Sequence, residues 1–313
     1  MPRSVGTMTW VPSRLPDQSG RTFVVTGGSG GIGYFTAEQL ASTGAHVVLA
    51  SRDLRRVNAA MRSIRSFVPD ASLEALKVDL ASLASVKAAG DILRGFDRLD
   101  GLILNAGVTA GKRARQESPD GNELTLATNF VGHFALTAKA WPALTRTPDS
   151  RVVGLGSLAT VVVPFDMMDM QTRRNHTFFR AYGQSKHGMH AFILELDRRA
   201  REAGETTSAV LAHPGYAVDS LSPERPGISH ASTPAKFGSA LLLGAQGKNR
   251  GAASVVRALL DPEVVGGEYV GPAALTKGRP ALHTPIASSA SEEAGSAVWA
   301  LAERWSATRF PVI

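Results

Sequence analysis

Apolar runs rich in Val, Ile and Leu alternate with segments of helical spacing along most of the chain. The first run, RTFVVTGG, ends in glycines; the helical segment IGYFTAEQLASTG follows and stops at Gly44, and AHVVLASR is the next apolar run. These periods predict strands and amphipathic helices in alternation. Because a helical crossover joins each pair of strands, the pattern predicts a parallel sheet with helices packed on it.

The alternation continues toward the C-terminal end of the chain. Further strands are predicted near 73–78, at LDGLILNAG, RVVGLGS and TSAVLAHPG, and, as the last strand, at GGEYVGP. Further helices are predicted over about 53–66, 82–95, 119–145 and 180–204, at AKFGSALLLGAQG, and at SSASEEAGSAVWALAERW, whose serines can cap it. No repeat or linker divides this pattern. The sequence therefore predicts a single α/β, doubly wound Rossmann domain with a central parallel sheet of about seven strands flanked by helices.

Two segments fall outside the alternation. Residues 1–17 are predicted to form a flexible leader, with the Rossmann domain over 18–313. Residues 216–234, YAVDSLSPERPGISHASTP, interrupt the pattern with Ser, Pro and Gly. Since a loop of this length inside a compact domain usually has a function or is disordered, we predict a substrate loop here.

Composition narrows the chemistry. The 313 residues contain no cysteine, which excludes disulfides, thiolate catalysis and cysteine-ligated metal clusters, so any redox chemistry must come from a bound cofactor. The net charge of +7 suits an anionic partner, but the arginines are spread through amphipathic segments. This distribution favours a phosphate-bearing small molecule over a nucleic acid.

Hydropathy also indicates where the protein works. The first residues lack the apolar core of a signal peptide, and no uncharged apolar window is long enough to span a bilayer. We therefore predict a cytoplasmic protein with no membrane span.

The sequence TGGSGGIG, residues 26–33, lies between the first predicted strand and the first predicted helix. Glycines let the backbone approach a pyrophosphate closely, and the N-terminus of the next helix offers unpaired N–H groups and a positive dipole end. A glycine-rich turn alone is weak evidence, but its position between strand and helix favours dinucleotide binding over an ordinary turn. The predicted contacts in this turn are Gly27, Ser29, Gly30, Gly31, Ile32 and Gly33.

The end of the second strand indicates which dinucleotide binds. A carboxylate there would accept hydrogen bonds from the adenosine ribose of NAD, but the chain reads Ser51 and Arg52 before Asp53. A hydroxyl and a guanidinium suit a 2′-phosphate, so NADP(H) is predicted over NAD(H), with Ser51 and Arg52 as contacts. The alternative is that Arg52 pairs with Asp53 in solvent while Arg55 and Arg56 form a solvated helix face.

Three further strand ends should line the same groove, because ligands of such sheets bind outside the carboxyl ends of the strands. Asp79 ends the third strand and could accept the adenine amino group. Asn-Ala-Gly, 105–107, ends the fourth strand, and His-Pro-Gly, 213–215, ends the sixth on the nicotinamide side. The predicted contacts here are Asp79, Leu80, Asn105, Ala106, Gly107, Pro214 and Gly215.

A phenol, an ammonium and a hydroxyl are predicted to meet at this end of the sheet. Ser157 follows the fifth strand, and Tyr182 and Lys186, four residues apart, lie on one face of the next helix. Such pairs are common on helices, so Tyr182 and Lys186 alone could be packing neighbours. Their position opposite Ser157 and the glycine turn favours a catalytic group.

Together these motifs resemble the short-chain dehydrogenases/reductases. TGGSGGIG is similar to the family's TGxxxGxG turn, LNAG to NNAG, and YGQSK to YxxxK, while Asn129 and Ser157 match its helix asparagine and its catalytic serine. The resemblance covers about residues 18–310. ASRD, NFVGHFALT, AYGQSK and GGEYVGP are most similar to the retinol dehydrogenase-like branch, which commonly uses NADP.

The resemblance implies a role for each of four residues. Hydride would pass between nicotinamide C4 and a carbonyl or alcohol carbon, with Tyr182 as the acid–base. Lys186 would hold the nicotinamide ribose and lower the pKa of Tyr182, because nearby positive charge stabilises a phenolate. Ser157 would orient the carbonyl oxygen, and Asn129 would support a water that relays protons to Lys186.

The predicted function is therefore an NADP(H)-dependent carbonyl reductase or alcohol dehydrogenase acting on a small molecule. Apolar residues at 161–163, Phe165, Phe178 and Phe179 suggest a fairly apolar substrate. Two alternatives remain. A non-catalytic dinucleotide sensor or scaffold would need only the glycine turn, and a nucleotide-sugar epimerase or dehydratase also uses YxxxK, but usually with a TGxxGxxG turn and a larger C-terminal domain.

No metal is predicted. His133, His187 and His190 have no carboxylate or cysteine partner at ligand spacing, so they are interpreted as structural or surface residues. The long helices 119–145 and 180–204 correspond to those through which members of the family often pair, which is compatible with a homo-oligomer.

Overall fold

The seven apolar runs and one further strand form the central sheet of the computed structural model, which describes residues 14–108, 114–228 and 244–311. The strands are β1 Thr22–Thr26, β2 His46–Ser51, β3 Ser72–Lys77, β4 Gly101–Leu104, β5 Arg151–Leu155, β6 Ser208–Ala212, β7 Ala217–Val218, β8 Gln246–Gly247, β9 Tyr269–Pro272 and β10 Pro280–His283. Strands β7 and β8 pair with each other in a separate two-stranded ribbon.

Helices cover both faces of this sheet. The α-helices are α1 Gly31–Ala41, α2 Leu54–Arg65, α3 Leu83–Arg94, α4 Leu124–Leu126, α5 Gly132–Arg146, α6 Ala159–Val162, α7 Phe178–Glu202, α8 Lys248–Leu260, α9 Ala287–Ala290 and α10 Glu292–Ser306. A π-helical segment, Ala127–Val131, joins α4 to α5, and short 3₁₀ turns lie at Met167–Asp169 and Asp219–Leu221.

The strand order is β10-β9-β6-β5-β4-β1-β2-β3, with every neighbouring pair parallel except β9 and β10. This order confirms the doubly wound Rossmann domain. The sheet has eight strands rather than about seven, because β10 adds an antiparallel edge strand. The connection 273–279 is long enough for an antiparallel return but too short for a parallel crossover.

Three helix predictions need correction. The helix expected at SSASEEAGSAVWALAERW is interrupted at Ser291, whose extended backbone separates α9 from α10 and whose side chain caps α10. The helix expected over 119–145 begins at Leu124 and passes through a π-helical turn before it continues to Arg146. Residues 235–243 of the helix expected at AKFGSALLLGAQG lie outside the described residues, and Gln246 and Gly247 at its end form β8 instead of helix. Their backbone pairs with Ala217 and Val218, a long-range contact that local spacing does not show.

The core lies in two apolar layers, one on each face of the sheet. Along β1, Val24 points into one layer, whereas Phe23 and Val25 point into the other. The first layer contains an aromatic cluster of Phe130, Phe134, Phe192, Trp299 and Phe310. Because the central strands are covered on both sides, they are apolar at nearly every position.

The predicted leader and substrate loop are described in part. Residues 1–13 and 229–234 lie outside the described residues. Leu15 is partly buried against the core layer that contains Phe23, so the last residues before β1 contact the domain. The first part of the predicted loop forms β7 and the 3₁₀ turn Asp219–Leu221.

Candidate active site

A groove of about 720 Å³ opens at the carboxyl ends of the parallel strands. The order of strands reverses between β1 and β4, so their outgoing connections diverge and leave a crevice between them. The predicted residues that line it are Gly27, Ser29, Gly30, Gly31, Ile32, Ser51, Arg52, Asp79, Leu80, Asn105, Ala106, Gly107, Ser157, Tyr182, Lys186, Pro214 and Gly215.

The glycine turn forms one wall of the groove. Gly27 and Gly31 have φ of +69° and +58°, a backbone region that side chains disfavour. A Cβ on Gly30 would meet only Arg56 Nη2, at 3.3 Å, within 4 Å of it in the part of the chain that the structure describes. Gly31 begins α1, so unpaired N–H groups of the first helical turn lie at the groove. Open backbone next to a helix N-terminus can hold the phosphates of a dinucleotide.

Gly33 is not among the residues that line the groove. A Cβ at this position would lie 2.5 Å from Gly27 O and would also collide with the Asn105 side chain. Asn105 in turn donates from Nδ2 to Thr26 O at 2.7 Å. Gly33 therefore lets α1 pack closely against the turn instead of facing a ligand.

The hydroxyl of Thr26 connects the glycine turn to the end of β4. Thr26 Oγ1 accepts hydrogen bonds from the backbone N–H groups of Asn105 and Ala106 at 2.9 and 3.0 Å. These bonds hold the residues 105–107 against the end of β1. The two neighbouring strand ends thus form a continuous floor.

Cationic and hydroxyl side chains gather at the end of β2. Ser29 Oγ donates to Ser51 Oγ at 3.2 Å, and Arg52 and Arg56 both line the groove. Asp53 caps α2 by accepting from Arg55 N at 2.9 Å, and its ion pair is with Arg55, at 3.7 Å. Asp53 is therefore engaged away from Arg52, contrary to the alternative in which these two residues pair.

Tyr182, Lys186 and Ser157 meet on the opposite wall. Lys186 Nζ donates to Leu155 O at 2.8 Å, which ties α7 to the end of β5. The ammonium lies 5.7 Å from the centroid of the Tyr182 ring, and the Ser157 hydroxyl is near enough to the Tyr182 phenol to affect its pKa. The sequence neighbours on one helix face therefore also share a groove with the glycine turn.

Comparison with known sequences identifies the family. The sequence pattern of the short chain dehydrogenases matches residues 21–220, which include the glycine turn, LNAG, Asn129, Ser157 and YGQSK. The chain belongs to the short chain dehydrogenase family. Members are oxidoreductases that act on alcohol or carbonyl groups with NAD(P), so the expected enzyme class is confirmed.

Relatives of this short chain dehydrogenase include enzymes named for apolar alcohols. Polyprenol dehydrogenase of Mus musculus is 37% identical over 275 residues, 83% of this chain and 78% of that protein. Retinol dehydrogenase 13 of Homo sapiens is 39% identical over 205 residues, 64% of this chain and 60% of that protein. The resemblance to the retinol dehydrogenase-like branch is thus confirmed.

Solved structures of other proteins share the fold. An uncharacterised protein from Mycobacterium paratuberculosis is 32% identical, with a TM-score of 0.79 over 97% of this chain and 99% of that chain. The Pseudomonas aeruginosa RhlG/NADP active-site complex is 23% identical, with a TM-score of 0.61 over 82% of this chain and 95% of that chain. The second likeness shows the fold alone.

Burial changes the acid–base properties of the site in this short chain dehydrogenase. Burial raises the pKa of the Tyr182 phenol, and the neighbouring Ser157 hydroxyl opposes this rise. Burial also lowers the pKa of the Lys186 amine to about 8. The expected lowering of the Tyr182 pKa by Lys186 is therefore not seen, because removal from water disfavours the charged form of both groups.

Asn129 does not line the groove but supports its rim from the π-helical segment. Its Oδ1 accepts from Val108 N at 2.8 Å, and its Nδ2 donates to Ser185 Oγ at 3.0 Å. Val108 lies in the groove next to Gly107. Asn129 thus connects the end of β4 to α7, and its suggested place in a proton relay stays a prediction.

His133, His187 and His190 are all buried. His133 Nδ1 is 3.0 Å from Asn129 O and its Nε2 is 2.9 Å from Thr26 Oγ1, while His187 Nε2 is 2.8 Å from Val163 O. Burial lowers the pKa of His133 to about 4, so its ring is neutral at pH 7. The structural interpretation fits these contacts, and the surface interpretation is wrong.

Within the described ranges, no group of three or more His, Cys, Asp and Glu residues could hold a metal ion. No helix in those ranges combines the length and the apolar composition needed to cross a membrane.

Sequence reasoning missed part of the groove. Arg56 lies in the first turn of α2, Asp219 belongs to the 3₁₀ turn after β7, and Lys248 begins α8. None belongs to a family motif quoted above. The sequence alone allows Arg56 to be interpreted as part of a solvated helix face with Arg55, and it places Asp219 in the predicted substrate loop 216–234.

Proposed function

We propose that this chain is an NADP(H)-dependent oxidoreductase that transfers hydride between nicotinamide C4 and the carbonyl or alcohol carbon of a fairly apolar substrate. The observation that carries the proposal is that Tyr182, Ser157 and Lys186 share one groove with the glycine turn. A dinucleotide sensor or scaffold would need the turn but not these three side chains.

The residues present fit a dinucleotide. Gly30 and Gly31 leave open backbone for a pyrophosphate, Arg52 and Ser51 would hold the 2′-phosphate, and Asp79 would face the adenine. Residues 105–107, which hydrogen bonds hold against the end of β1, would form the surface on which the cofactor lies. When bound, NADPH supplies the hydride for reduction of a carbonyl.

Tyr182 would donate the proton that neutralises the developing alkoxide. Its raised pKa keeps the phenol protonated at neutral pH, which is the form needed for donation. The hydroxyl of Ser157, beside the phenol, would donate a hydrogen bond to the substrate oxygen and orient it. Lys186, anchored by Leu155 O, would hold the ribose hydroxyls.

Exposed apolar side chains lie on the segment between Ser157 and Tyr182. Val161, Val162 and Phe179 are 65%, 69% and 51% exposed, and Phe178 stacks on the Tyr182 ring at 6.2 Å between centroids. Tyr216, which lines the groove, is 46% exposed. An extended apolar substrate would cover these groups, in keeping with relatives named for polyprenol and retinol.

The proposal is tested by following NADPH oxidation with a panel of carbonyl compounds. Long apolar aldehydes such as retinal should react faster than short polar aldehydes, with quinones and ketones included for comparison. No NADPH oxidation across the panel, with NADPH still bound, would support the sensor instead. Tight binding of UDP-sugars in a parallel fluorescence titration would support an epimerase.

Cofactor affinity should weaken above about pH 8. The Lys186 amine, whose pKa burial lowers to about 8, loses its charge as the pH rises through that value. An anionic dinucleotide favours the charged amine, so the Kd for NADPH should stay level below this pH and then rise by at most about tenfold per pH unit.

Fluorescence titrations of NADPH across the range measure this effect. In Lys186→Met the Kd should be higher but lose this pH-dependent rise. A wild-type Kd that stays constant through pH 8 would exclude Lys186 as the titrating group.

A further inference from the structure

Lys248 is a cation beside the glycine turn, in addition to Arg56. Its Nζ would lie 3.7 Å from a Cβ on Gly31, and within the described ranges the other atom within 4 Å of that Cβ is Lys248 Cδ. The same Nζ donates to Asp219 Oδ2 at 2.6 Å. The ammonium therefore lies between the backbone that begins α1 and a carboxylate on the other side of the groove.

The backbone of Lys248 is held from two sides. Lys248 N donates to Ser222 Oγ at 2.8 Å, and the pairing of β7 with β8 joins this segment to the residues before Asp219. Gln39 on α1 donates from Nε2 to Asn249 O at 2.9 Å. Helix α8 thus begins at a defined distance from the glycine turn.

The charges of Asp219 and Lys248 have opposite effects on a bound pyrophosphate. The side chain of Asp219 is 59% exposed and lines the same groove, so alone it would repel a pyrophosphate held at Gly30 and Gly31. The side chain of Lys248 is 22% exposed. The ammonium neutralises the carboxylate, and a pyrophosphate at Gly30 and Gly31 would compete with that carboxylate for it.

We propose that Lys248 binds the pyrophosphate of the dinucleotide and that Asp219 holds the ammonium over the glycine turn until the cofactor arrives. The inference rests on the proposed dinucleotide function and adds a residue to its phosphate site. It also predicts opposite effects on cofactor binding: loss of the lysine weakens binding, whereas loss of the carboxylate frees the lysine to bind the cofactor. A pair that only fastened the loop would give losses of the same sign.

Lys248→Met and Asp219→Asn are to be titrated with NADPH, NADH and adenosine 2′-monophosphate. Lys248→Met should raise the Kd of both dinucleotides by the same factor, about tenfold, because both contain a pyrophosphate. Its affinity for adenosine 2′-monophosphate, which has no pyrophosphate, should stay as in the wild type. Asp219→Asn should bind both dinucleotides at least as tightly as the wild type.

Lys87 and Asp91 provide a matched control. They form an exposed i,i+4 ion pair at 2.8 Å on α3, away from the groove. Lys87→Met and Asp91→Asn should leave all three affinities unchanged. Thermal unfolding of each variant without ligand, together with the retained binding of adenosine 2′-monophosphate, shows that the fold is intact.

Three results would overturn the inference. Equal weakening in Asp219→Asn and Lys248→Met would show that the pair only fastens the loop. A loss in Lys248→Met confined to NADPH would place the lysine at the 2′-phosphate, and unchanged binding of both dinucleotides would remove it from the site. If wild-type protein bound neither dinucleotide, the proposed function itself would fail, which the wild-type titration shows separately.

Discussion

Tyr182→Phe should lower the kcat for carbonyl reduction by about 10²–10⁴-fold, the usual contribution of a positioned proton donor. Phenylalanine keeps the ring that stacks with Phe178 but removes the hydroxyl beside Ser157. Substrate packing should therefore survive while the alkoxide loses its proton source. The expected signature is a large fall in kcat with a nearly unchanged Kd for NADPH.

The pH dependence of the rate should differ between reduction and oxidation. Because burial raises the pKa of Tyr182, the phenol is ready to donate a proton but difficult to ionise. Reduction should proceed at neutral pH, whereas alcohol oxidation, which needs the phenolate as base, should accelerate as the pH rises. This rise should be absent in Tyr182→Phe.

Tyr269→Phe is the matched control for Tyr182→Phe. Tyr269 is also a buried tyrosine and packs against His190 and His213, but it does not line the groove. Its loss should change kcat by less than about threefold. Full turnover in Tyr182→Phe, on a substrate that the wild type reduces, would disprove the acid–base role.

Arg52→Ala should lower kcat/KM for NADPH by about 10- to 100-fold and leave kcat/KM for NADH unchanged. Charge-assisted hydrogen bonds to a phosphate contribute this much when one partner is removed, and NADH has no 2′-phosphate to lose. Arg56 lies alongside, so the double variant Arg52→Ala/Arg56→Ala should extend the loss. Steady-state kinetics with both cofactors measure the ratio.

Arg55→Ala is the control for Arg52→Ala. The side chain of Arg55 is 95% exposed, pairs with Asp53 and does not line the groove, yet it carries the same charge as Arg52 and lies three residues further along the chain. It should leave the cofactor ratio unchanged. An equal loss for NADPH and NADH in Arg52→Ala would mean that Arg52 does not read the 2′-phosphate.

Much of the site could be predicted because its parts are local. Each of three features can be recognised within a few positions of the sequence: a glycine that adopts positive φ, a tyrosine four residues before a lysine, and a serine after an apolar run. The parallel sheet then fixes their meeting point, since all its strands end at the same edge. Of the predicted contacts, Gly33 and Asn129 support the groove from outside, because close packing and a hydrogen bond to the rim place them there.

The remaining features depend on contacts between distant segments. Lys248 reaches Asp219 only because β7 pairs with β8, and β10 completes the sheet only by returning against β9. The raised pKa of Tyr182 and the lowered pKa of Lys186 depend on how many atoms exclude water from each group. Neither these contacts nor these pKa shifts follow from a periodic pattern in the sequence.

The sequence by itself determined the family, the α/β alternation and the chemical identity of the groups in the groove. Tertiary structure alone decided which charges face one another and which ionisable groups lose their water. The physical reason is range: backbone propensity and helix spacing act over a few residues, whereas burial and ion pairing depend on distance in space.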